Sequence, residues 1–247
     1  MITDWHFYAA AIPAVLLLGL SKSGFGAGFG SLAVPLMALT VSVPQAAAIF
    51  MPLLFVIDVL GMRAFRKDFD KKLLIFLLPC GLVGIVIGAL LFKILQPQVV
   101  AGLVGAFTLL FLAQRLLFTP KANAAPPPRW AGVLLTIASG FTSFIAHSGG
   151  PPFNAYMIPL KLKPVVFTAT AAYFFFVINL AKWIPYAWLG LLDSRNFYTA
   201  LVLMPLAPIG VWAGVRVARR IQPTLFYRLV YTGMFLTGCK LLWDAFK

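Results

Sequence analysis

The stretch SKSGFGAGFGS (residues 21–31) interrupts an apolar sequence with four glycines and a lysine. Later in the chain, AHSGGPPFN (residues 146–154) interrupts another with two glycines, two prolines and a histidine. Glycine weakens a helix through its backbone entropy, and proline lacks the amide hydrogen and clashes with the preceding turn. We therefore predict two breaks in apolar helices, called here the first break (residues 21–31) and the second break (residues 146–154).

The composition around these breaks is that of a membrane protein. Of the 247 residues, 62% are hydrophobic and 11% are charged, and the mean hydropathy is +0.95. A soluble domain carries about 25% charged and roughly 45–50% apolar residues, and a globule of this size cannot bury such an excess of apolar surface. Lipid is therefore predicted to surround the chain, which at about 20 residues a span has room for at most about ten crossings.

The net charge of +14 does not change this interpretation. In a soluble protein, such a basic balance would favour nucleic acid as a partner. Here the basic residues stand at the ends of apolar runs, as the preference of lysine and arginine for cytoplasmic loops predicts. No nucleic-acid partner is therefore expected.

Residues of the same type recur at a constant spacing, which indicates two homologous halves. A shift of 126 residues places one set on the other: Pro79, Gly84, Gly88, Gln96 and Pro97 on Pro205, Gly210, Gly214, Gln222 and Pro223. We predict a first transmembrane repeat at residues 1–118, a linker at 119–129 and a second transmembrane repeat at 130–247. The glycines four apart in each half would let two helix backbones approach closely.

Basic residues mark opposite ends of the two halves. The connection at residues 63–72 carries five of them, whereas its counterpart at 183–196 carries only Arg195. The next connection shows the reverse, with Lys93 in the first half against four arginines between residues 216 and 228 in the second. Because basic loops favour the cytoplasm, equivalent loops are predicted on opposite sides, as in an inverted repeat. The linker falls on the cytoplasmic side.

Inversion requires an odd number of crossings in each half. Three long apolar runs supply three, so the broken segment must enter and leave on one side, and its arms are shorter than a full span. The predicted fold is an all-α polytopic membrane protein with two inverted repeats, each a re-entrant or broken helical hairpin followed by three long transmembrane helices. Both termini then lie opposite the cytoplasm. Two full crossings in each broken segment would preserve the same loop sides and are the alternative.

The two breaks carry groups that suit a small anion. Non-helical backbone at membrane depth persists where it is buried in protein or lines a wet cavity, and helix amino termini at such breaks favour negative charge. Tight packing of the glycines, snorkelling of Lys22 to an interface and a structural role for His147 are the alternatives. The predicted substrate-binding residues are Ser21, Lys22, Ser23, Gly24, Gly26, Gly28, Gly30, Ser31, His147, Ser148, Gly149, Gly150 and Asn154.

Asp58 and Asn179 occupy nearly equivalent places in the two halves and are predicted coupling or gating residues. The Asp58 carboxylate would either accept a proton or form an ion pair with Lys22 or Arg63, and we favour the pair as a structural latch. The sequence shows no metal-ligand cluster, no paired-carboxylate site and no nucleophile with an orienting acid. No enzymatic activity, metal or cofactor is therefore expected.

Three stretches together carry a resemblance to a known family: GFGAGFGSLAVPLMAL (24–39), IDVLGMRAFRKDFDKKLLIFLLPCGLVGIVIGALL (57–91) and SGGPPFNAYMIPLKLKPVVFTATAAYFFFVINLAKW (148–183). In this order they resemble the TauE/SafE sulfite exporters, also called toluene sulfonate uptake permeases. The SKSG before the first glycine run departs from the family pattern, so the role of Lys22 rests on this sequence alone. The resemblance implies a secondary carrier of sulfite, sulfoacetate or other organosulfonates in a bacterial inner membrane, so the termini that the loop charges place opposite the cytoplasm are predicted to be periplasmic.

The leading hypothesis is a carrier that works by alternating access and holds its sulfur oxyanion at the hairpin tips near the membrane midplane. A passive anion channel and a non-transporting membrane scaffold are the alternatives. The expected partners are the substrate anion and the lipid bilayer. Proton or sodium coupling and assembly into a homodimer are left open by the sequence.

Overall fold

The computed structural model describes residues 2, 4–25, 30–37, 39–41, 43–92, 94, 96–117, 126–146, 148–188 and 193–246. Every regular element within these ranges is a helix, as composition predicts. The eleven α-helices found there are α1 (Trp5–Gly24), α2 (Ala33–Met37), α3 (Val43–Ala64), α4 (Lys71–Leu91), α5 (Pro97–Leu117), α6 (Arg129–Ala146), α7 (Gly150–Met157), α8 (Pro164–Trp188), α9 (Ser194–Leu203), α10 (Leu206–Arg220) and α11 (Pro223–Ala245). Short 3₁₀ helices at Gly30–Leu32 and Ile158–Leu160 adjoin α2 and α7.

Several helices have the length and hydropathy of membrane spans. In the described part of the chain, α1, α4 and α8 meet both criteria individually. A fourth span results if α9 and α10, which meet at an angle of 54°, cross as one bent pair. Large apolar side chains such as Ile75 and Leu90 on α4 remain exposed on the outside of the helical assembly, where lipid would cover them. This is the architecture of a multi-pass membrane protein.

One of the six long helices that the sequence predicts is broken. Residues 197–217 form a single apolar run, but α9 ends at Leu203 and α10 begins at Leu206. Pro205 and Pro208 remove two amide donors within four residues, so the helical hydrogen bonds cannot continue. In α4, Pro79 stands alone and the helix continues through it.

Both predicted breaks separate a long helix from a short one. The first lies after α1, which has 20 residues, and before α2, which has 5. The second lies between α6, with 18 residues, and α7, with 8. The expectation that both long arms are shorter than a full span is wrong for α1, because its helix continues through Ser21, Lys22 and Ser23. The helix continues through these polar residues because they are buried inside the protein, where the charge of Lys22 is paired with the carboxylate of Asp58.

Helices of the two predicted repeats pack against each other, since α1 lies against α10 and α6 lies against α4. Glycines make these contacts close. A Cβ atom on Gly140 would lie 2.0 Å from the carbonyl oxygen of Gly81, and one on Gly214 would lie 2.7 Å from that of Leu20. The predicted close approach at the glycine pairs is therefore confirmed, with backbone as the nearest neighbour except at Gly88, where it is Cβ of Phe144 at 3.0 Å.

Substitution of Gly84 by alanine is expected to lower the free energy of unfolding by about 1–3 kcal/mol or more, the cost of overpacking a well-packed contact. A Cβ atom there would lie 2.1 Å from the carbonyl oxygen of Ile137, so α4 and α6 must separate. Gly61→Ala is the matched control, since its Cβ atom would find no neighbour closer than 3.6 Å. Thermal unfolding in detergent measures both, and equal midpoints for the two variants would contradict this packing.

The helix α8 lies at the centre of the molecule and contacts α1, α3, α4, α6 and α10. Its aromatic side chains Phe174 and Phe175 pack with Phe153 of α7, at centroid distances of 4.7 and 5.1 Å. The short helix of the second break is therefore held against α8. This contact brings the residues of the second break next to those of α1 and α3.

Candidate functional site

A chain of buried polar contacts joins α1, α3 and α8. The Lys22 ammonium forms an ion pair with Oδ1 of Asp58, and Nδ2 of Asn179 donates to Oδ2 of Asp58 at 2.7 Å. The exposed fractions of Lys22, Asp58 and Asn179 are 6%, 2% and 6%. Both carboxylate oxygens are thus occupied, and the pair that forms is with Lys22 and not with the exposed Arg63.

The sequence accounts for this pairing locally. Lys22 stands in the last turn of α1, and Asp58 lies in the second half of α3, which packs against both α1 and α8. A charged side chain at membrane depth is costly without a partner, and a buried ion pair is tolerated when further hydrogen bonds complete it. Asn179 provides that further bond.

Lys182 brings a second buried cation to the same place. It follows Asn179 by nearly one turn of α8, its side chain is 1% exposed, and its Nζ donates to the backbone carbonyl of Ser143 at 2.9 Å. Ser143 lies in the last turn of α6, where carbonyl oxygens lack helical partners and the helix dipole is negative. Among the described residues, no carboxylate lies within ion-pair distance of Lys182.

Lys22 and Lys182 both line one cavity of about 50 Å³. Asn179 and Ser143 contribute polar groups to its wall, and Asp58 stands behind Lys22 and Asn179 without lining it. The phenyl ring of Phe175 forms part of the apolar wall, with the Lys22 ammonium 5.8 Å from its centroid. The full set of lining residues is Leu18, Lys22, Gly30, Leu54, Ser143, Gly149, Gly150, Phe175, Asn179 and Lys182.

The amino terminus of α7 opens onto this cavity through Gly149 and Gly150. Pro151 and Pro152 follow in the first helical turn, where a missing amide hydrogen leaves no bond unmade. The hydroxyls of α6 engage the carbonyl side of the break, because Ser139 donates to the carbonyl of Gly149 at 2.7 Å and Thr142 donates to that of Ser148 at 3.1 Å. These bonds turn the negative ends of the peptide dipoles towards α6.

Gly149 itself has no room for a side chain. A Cβ atom there would lie 2.7 Å from the carbonyl oxygen of Ser139 and from Cβ of Ser143. The glycine thus lets the backbone of the second break pass against α6, which keeps the start of α7 beside the Lys182 ammonium. Cations and amide dipoles together make the cavity attractive to an anion.

Some of the predicted substrate-binding residues line the cavity, and others are buried nearby without lining it. Lys22, Gly30, Gly149 and Gly150 line the cavity, as does Asn179, predicted as a coupling or gating residue. Ser21, Ser23 and Gly24 are buried in the last turn of α1 and do not line it.

Other predicted residues lie elsewhere or beyond the described part of the chain. Ser148 is buried beside α6, and Asn154 is fully buried in α7, where neither of its side-chain polar atoms has a partner among the described residues. Ser31 belongs to the 3₁₀ helix before α2, and its side chain is not described. Gly26, Gly28 and His147 lie outside the described residues.

Sequence reasoning missed Lys182 and did not select Ser143. Lys182 reads as a basic residue at the end of an apolar run, yet α8 continues to Trp188 and buries it. Its distance of three residues from Asn179 was the available indication, since this spacing puts both on one helix face. The partner of Lys182 is a backbone carbonyl, which no side-chain pattern marks.

At the end of the molecule that carries the α3–α4 connection, polar contacts join this connection to α10. Arg219 at the end of α10 donates to the carboxylate of Asp68 at 2.8 Å and to the carbonyl of Ala64 at 2.7 Å. At the opposite end, a second cavity of about 180 Å³ lies between α3, α8 and α9, lined by Ala48, Pro52, Trp183, Asp193, Ser194 and Phe197.

A family model, that of the sulfite exporter TauE/SafE, matches residues 11–241 and so covers nearly the whole chain. The matched region contains every residue described above as lining the central cavity. No curated protein and no solved structure matches the chain. The extent of the family match establishes the membership: the chain belongs to the TauE/SafE sulfite exporter family of membrane transporters.

Proposed function

We propose that the protein is a secondary carrier of small sulfur-containing anions, such as sulfite or small organosulfonates, which it binds in the central cavity and moves by alternating access. The observation that carries this proposal is a cavity lined by two buried lysines, Lys22 and Lys182, of which, among the described residues, only Lys22 has a carboxylate partner, Asp58. Charges at this depth are costly and are retained where a site needs them. A bound substrate anion would neutralise the positive charge that Asp58 does not balance.

The cavity wall offers donors to the oxygens of such an anion. Lys182 has three N–H donors and gives one to Ser143, and Lys22 likewise gives one to Asp58, so both retain donors for a ligand. Gly150 adds a backbone amide at the start of α7, and Asn179 also lines the cavity. Oxyanions suit this set because each oxygen accepts several hydrogen bonds.

The size of the cavity favours the smallest sulfur oxyanions. Its volume is about 50 Å³. Since one water occupies about 10–15 Å³ on such a measure, the cavity has room for about four water-sized groups. Sulfite fits this volume, whereas an aromatic sulfonate would require the helices to separate.

Alternating access is supported by the way the two halves pack. The exchange of α1 onto α10 and of α6 onto α4 suits two inverted repeats, at residues 1–118 and 130–247, that rock about the central pair α3 and α8. The contact between Arg219 and Asp68 brings the two predicted basic connections to one end, which we place in the cytoplasm. The backbone amide of Ile2 donates to the hydroxyl of Thr199 in the middle of α9, and we place this end, with the amino terminus, in the periplasm.

Flux measurements test the proposal. Purified protein in proteoliposomes is expected to move radiolabelled sulfite at a rate that saturates with sulfite concentration, because each cycle moves only the anion bound in the cavity. Empty liposomes are the control. Flux that rises without limit, together with single-channel currents, would indicate a passive channel, and absence of both flux and sulfite binding would indicate a scaffold.

A further inference from the structure

The outward side of α10 changes from apolar to basic along its length. The helix packs on α1 and α3, and its buried side consists of small and apolar residues: Ala207, Gly210, Val211, Gly214 and Ala218. An α-helix has 3.6 residues per turn, so a second set lies together on the opposite side. This set, called here the α10 stripe, is exposed and consists of Ile209, Trp212, Arg216 and Arg220.

The two middle residues of the α10 stripe are in contact. The guanidinium of Arg216 lies over the indole ring of Trp212, 5.4 Å from the ring centroid, although Trp212 is 63% exposed. The negative face of an indole ring attracts a cation. The N–H groups of a guanidinium lie in its plane, so the stacked Arg216 can still donate hydrogen bonds at its edge. Arg220 follows one helical turn later.

Arg219, between these two arginines in sequence, has protein acceptors. It turns towards the α3–α4 connection, where it donates to the carboxylate of Asp68 and to the carbonyl of Ala64. Within the part of the chain that the structure describes, no carboxylate lies within ion-pair distance of Arg216 or Arg220. The α10 stripe thus presents two cations outward.

The acidic side chains of the protein are all engaged elsewhere. The chain has six of them, all aspartates. Three form ion pairs with lysine or arginine and three cap the start of a helix: Asp58, Asp68 and Asp244, and Asp4, Asp70 and Asp193. A second copy of the chain would bring the same six. Negative charge for the α10 stripe is therefore best supplied from outside the protein.

We propose that the α10 stripe binds an anionic phospholipid, with the lipid phosphate at Arg216 and Arg220 and an acyl chain along Trp212 and Ile209. A guanidinium can donate two parallel hydrogen bonds to phosphate oxygens, and tryptophan favours the boundary between membrane and water. The α10 stripe follows the order of the lipid itself: acyl chain, boundary, phosphate. A free phosphate would leave the apolar half uncovered.

This lipid site is separate from the central cavity and does not depend on the proposed carrier function. Its effect on the protein is expected to be stabilising. The buried side of α10 holds α1 through close glycine contacts, since a Cβ atom on Gly19 would lie 3.0 Å from Cα of Gly210. A ligand that binds only the folded protein raises its unfolding temperature.

Thermal unfolding of the purified, delipidated full chain in a neutral detergent tests the site. Phosphatidylglycerol is expected to raise the unfolding midpoint by roughly 5 °C, the order for a ligand near a hundred times its dissociation constant on a chain of this size. Phosphatidylcholine, whose choline cation offsets the phosphate, should give little rise. Glycerol phosphate, which lacks acyl chains, should also give little rise.

The double variant Arg216→Gln/Arg220→Gln is expected to lose the rise with phosphatidylglycerol. Its midpoint without lipid should stay at the wild-type value, because both side chains are exposed. The matched control Arg63→Gln/Arg66→Gln removes the same charge from two other exposed arginines near this end and should keep the rise. Native mass spectrometry counts the bound lipids, and the first variant alone should retain one fewer phosphatidylglycerol.

Four outcomes would overturn this assignment. Equal rises with the two phospholipids, or an equal loss of the rise in both double variants, would show a general attraction to charge. A full rise with glycerol phosphate would show a phosphate site without a lipid. A wild-type dimer that dissociates in Arg216→Gln/Arg220→Gln would show that a second copy covers the α10 stripe.

Discussion

Lys182→Gln is expected to weaken sulfite binding strongly and to reduce transport accordingly, while leaving the protein folded. The substitution removes one of the two buried cations that face the cavity, and the glutamine amide can still donate to the carbonyl of Ser143. Losing one partner of a buried, hydrogen-bonded charge pair costs about 2–5 kcal/mol. Since about 1.4 kcal/mol corresponds to a tenfold change in affinity, binding should weaken by a factor of roughly 30 or more.

Titration calorimetry with sulfite and flux in proteoliposomes measure this effect. Lys67→Gln is the matched control, because it removes an exposed lysine from the α3–α4 connection and should leave affinity unchanged. The elution profile and the unfolding midpoint of each variant establish that it is folded. Wild-type affinity in folded Lys182→Gln would remove this residue from the site and, with it, the main support for an anion in this cavity.

Lys22→Met is expected to destabilise the protein by about 3–5 kcal/mol, because it leaves the Asp58 carboxylate buried without its ion-pair partner. The double variant Lys22→Met/Asp58→Asn should recover most of the lost free energy of unfolding, since it removes both charges and keeps similar volumes. It should nevertheless bind sulfite weakly, because one of the two cations that face the cavity is missing.

A double-mutant cycle on thermal or denaturant unfolding in detergent measures the coupling energy between the two residues. Lys22→Met and Asp58→Asn are measured singly and together, and sulfite binding is measured on the double variant. Additive changes in stability would show that the pair does not act as the structural latch that the sequence predicts. Full sulfite affinity in the double variant would show that Lys22 serves the fold alone.

The fold class and the two breaks could be predicted from composition and local chemistry. Sixty-two per cent hydrophobic residues require a lipid environment, and the glycine- and proline-rich stretches interrupt the helices, as after Gly24 and between Ala146 and Gly150. The predicted length of the helix before the first break was wrong, because Lys22 lies within α1. A lysine in an apolar segment is compatible with helix or break, and only its partner on α3 decides between them.

Part of the site followed from sequence as well. The pairing of Lys22 with Asp58 was among the weighed possibilities, and Gly149 and Gly150 were assigned to an anion site because amide dipoles favour negative charge. Lys182 was not predicted as a site residue, because its hydrogen-bond partner is a backbone carbonyl on another helix. The predicted Asn154 lies in α7 without lining the cavity, because the helix rotation that α7 adopts against α6 is set by tertiary contacts.

By itself, the sequence determined an all-helical membrane chain, the two places where its helices break, and two residues of opposite charge, Lys22 and Asp58, among apolar segments. These follow from properties of single residues and their near neighbours: hydropathy, helix-breaking tendency and the cost of buried charge. Only the tertiary structure decided that both lysines face one cavity and that a single carboxylate stands behind it. Such a balance depends on distances between helices that are far apart in the chain, and no local pattern encodes those distances.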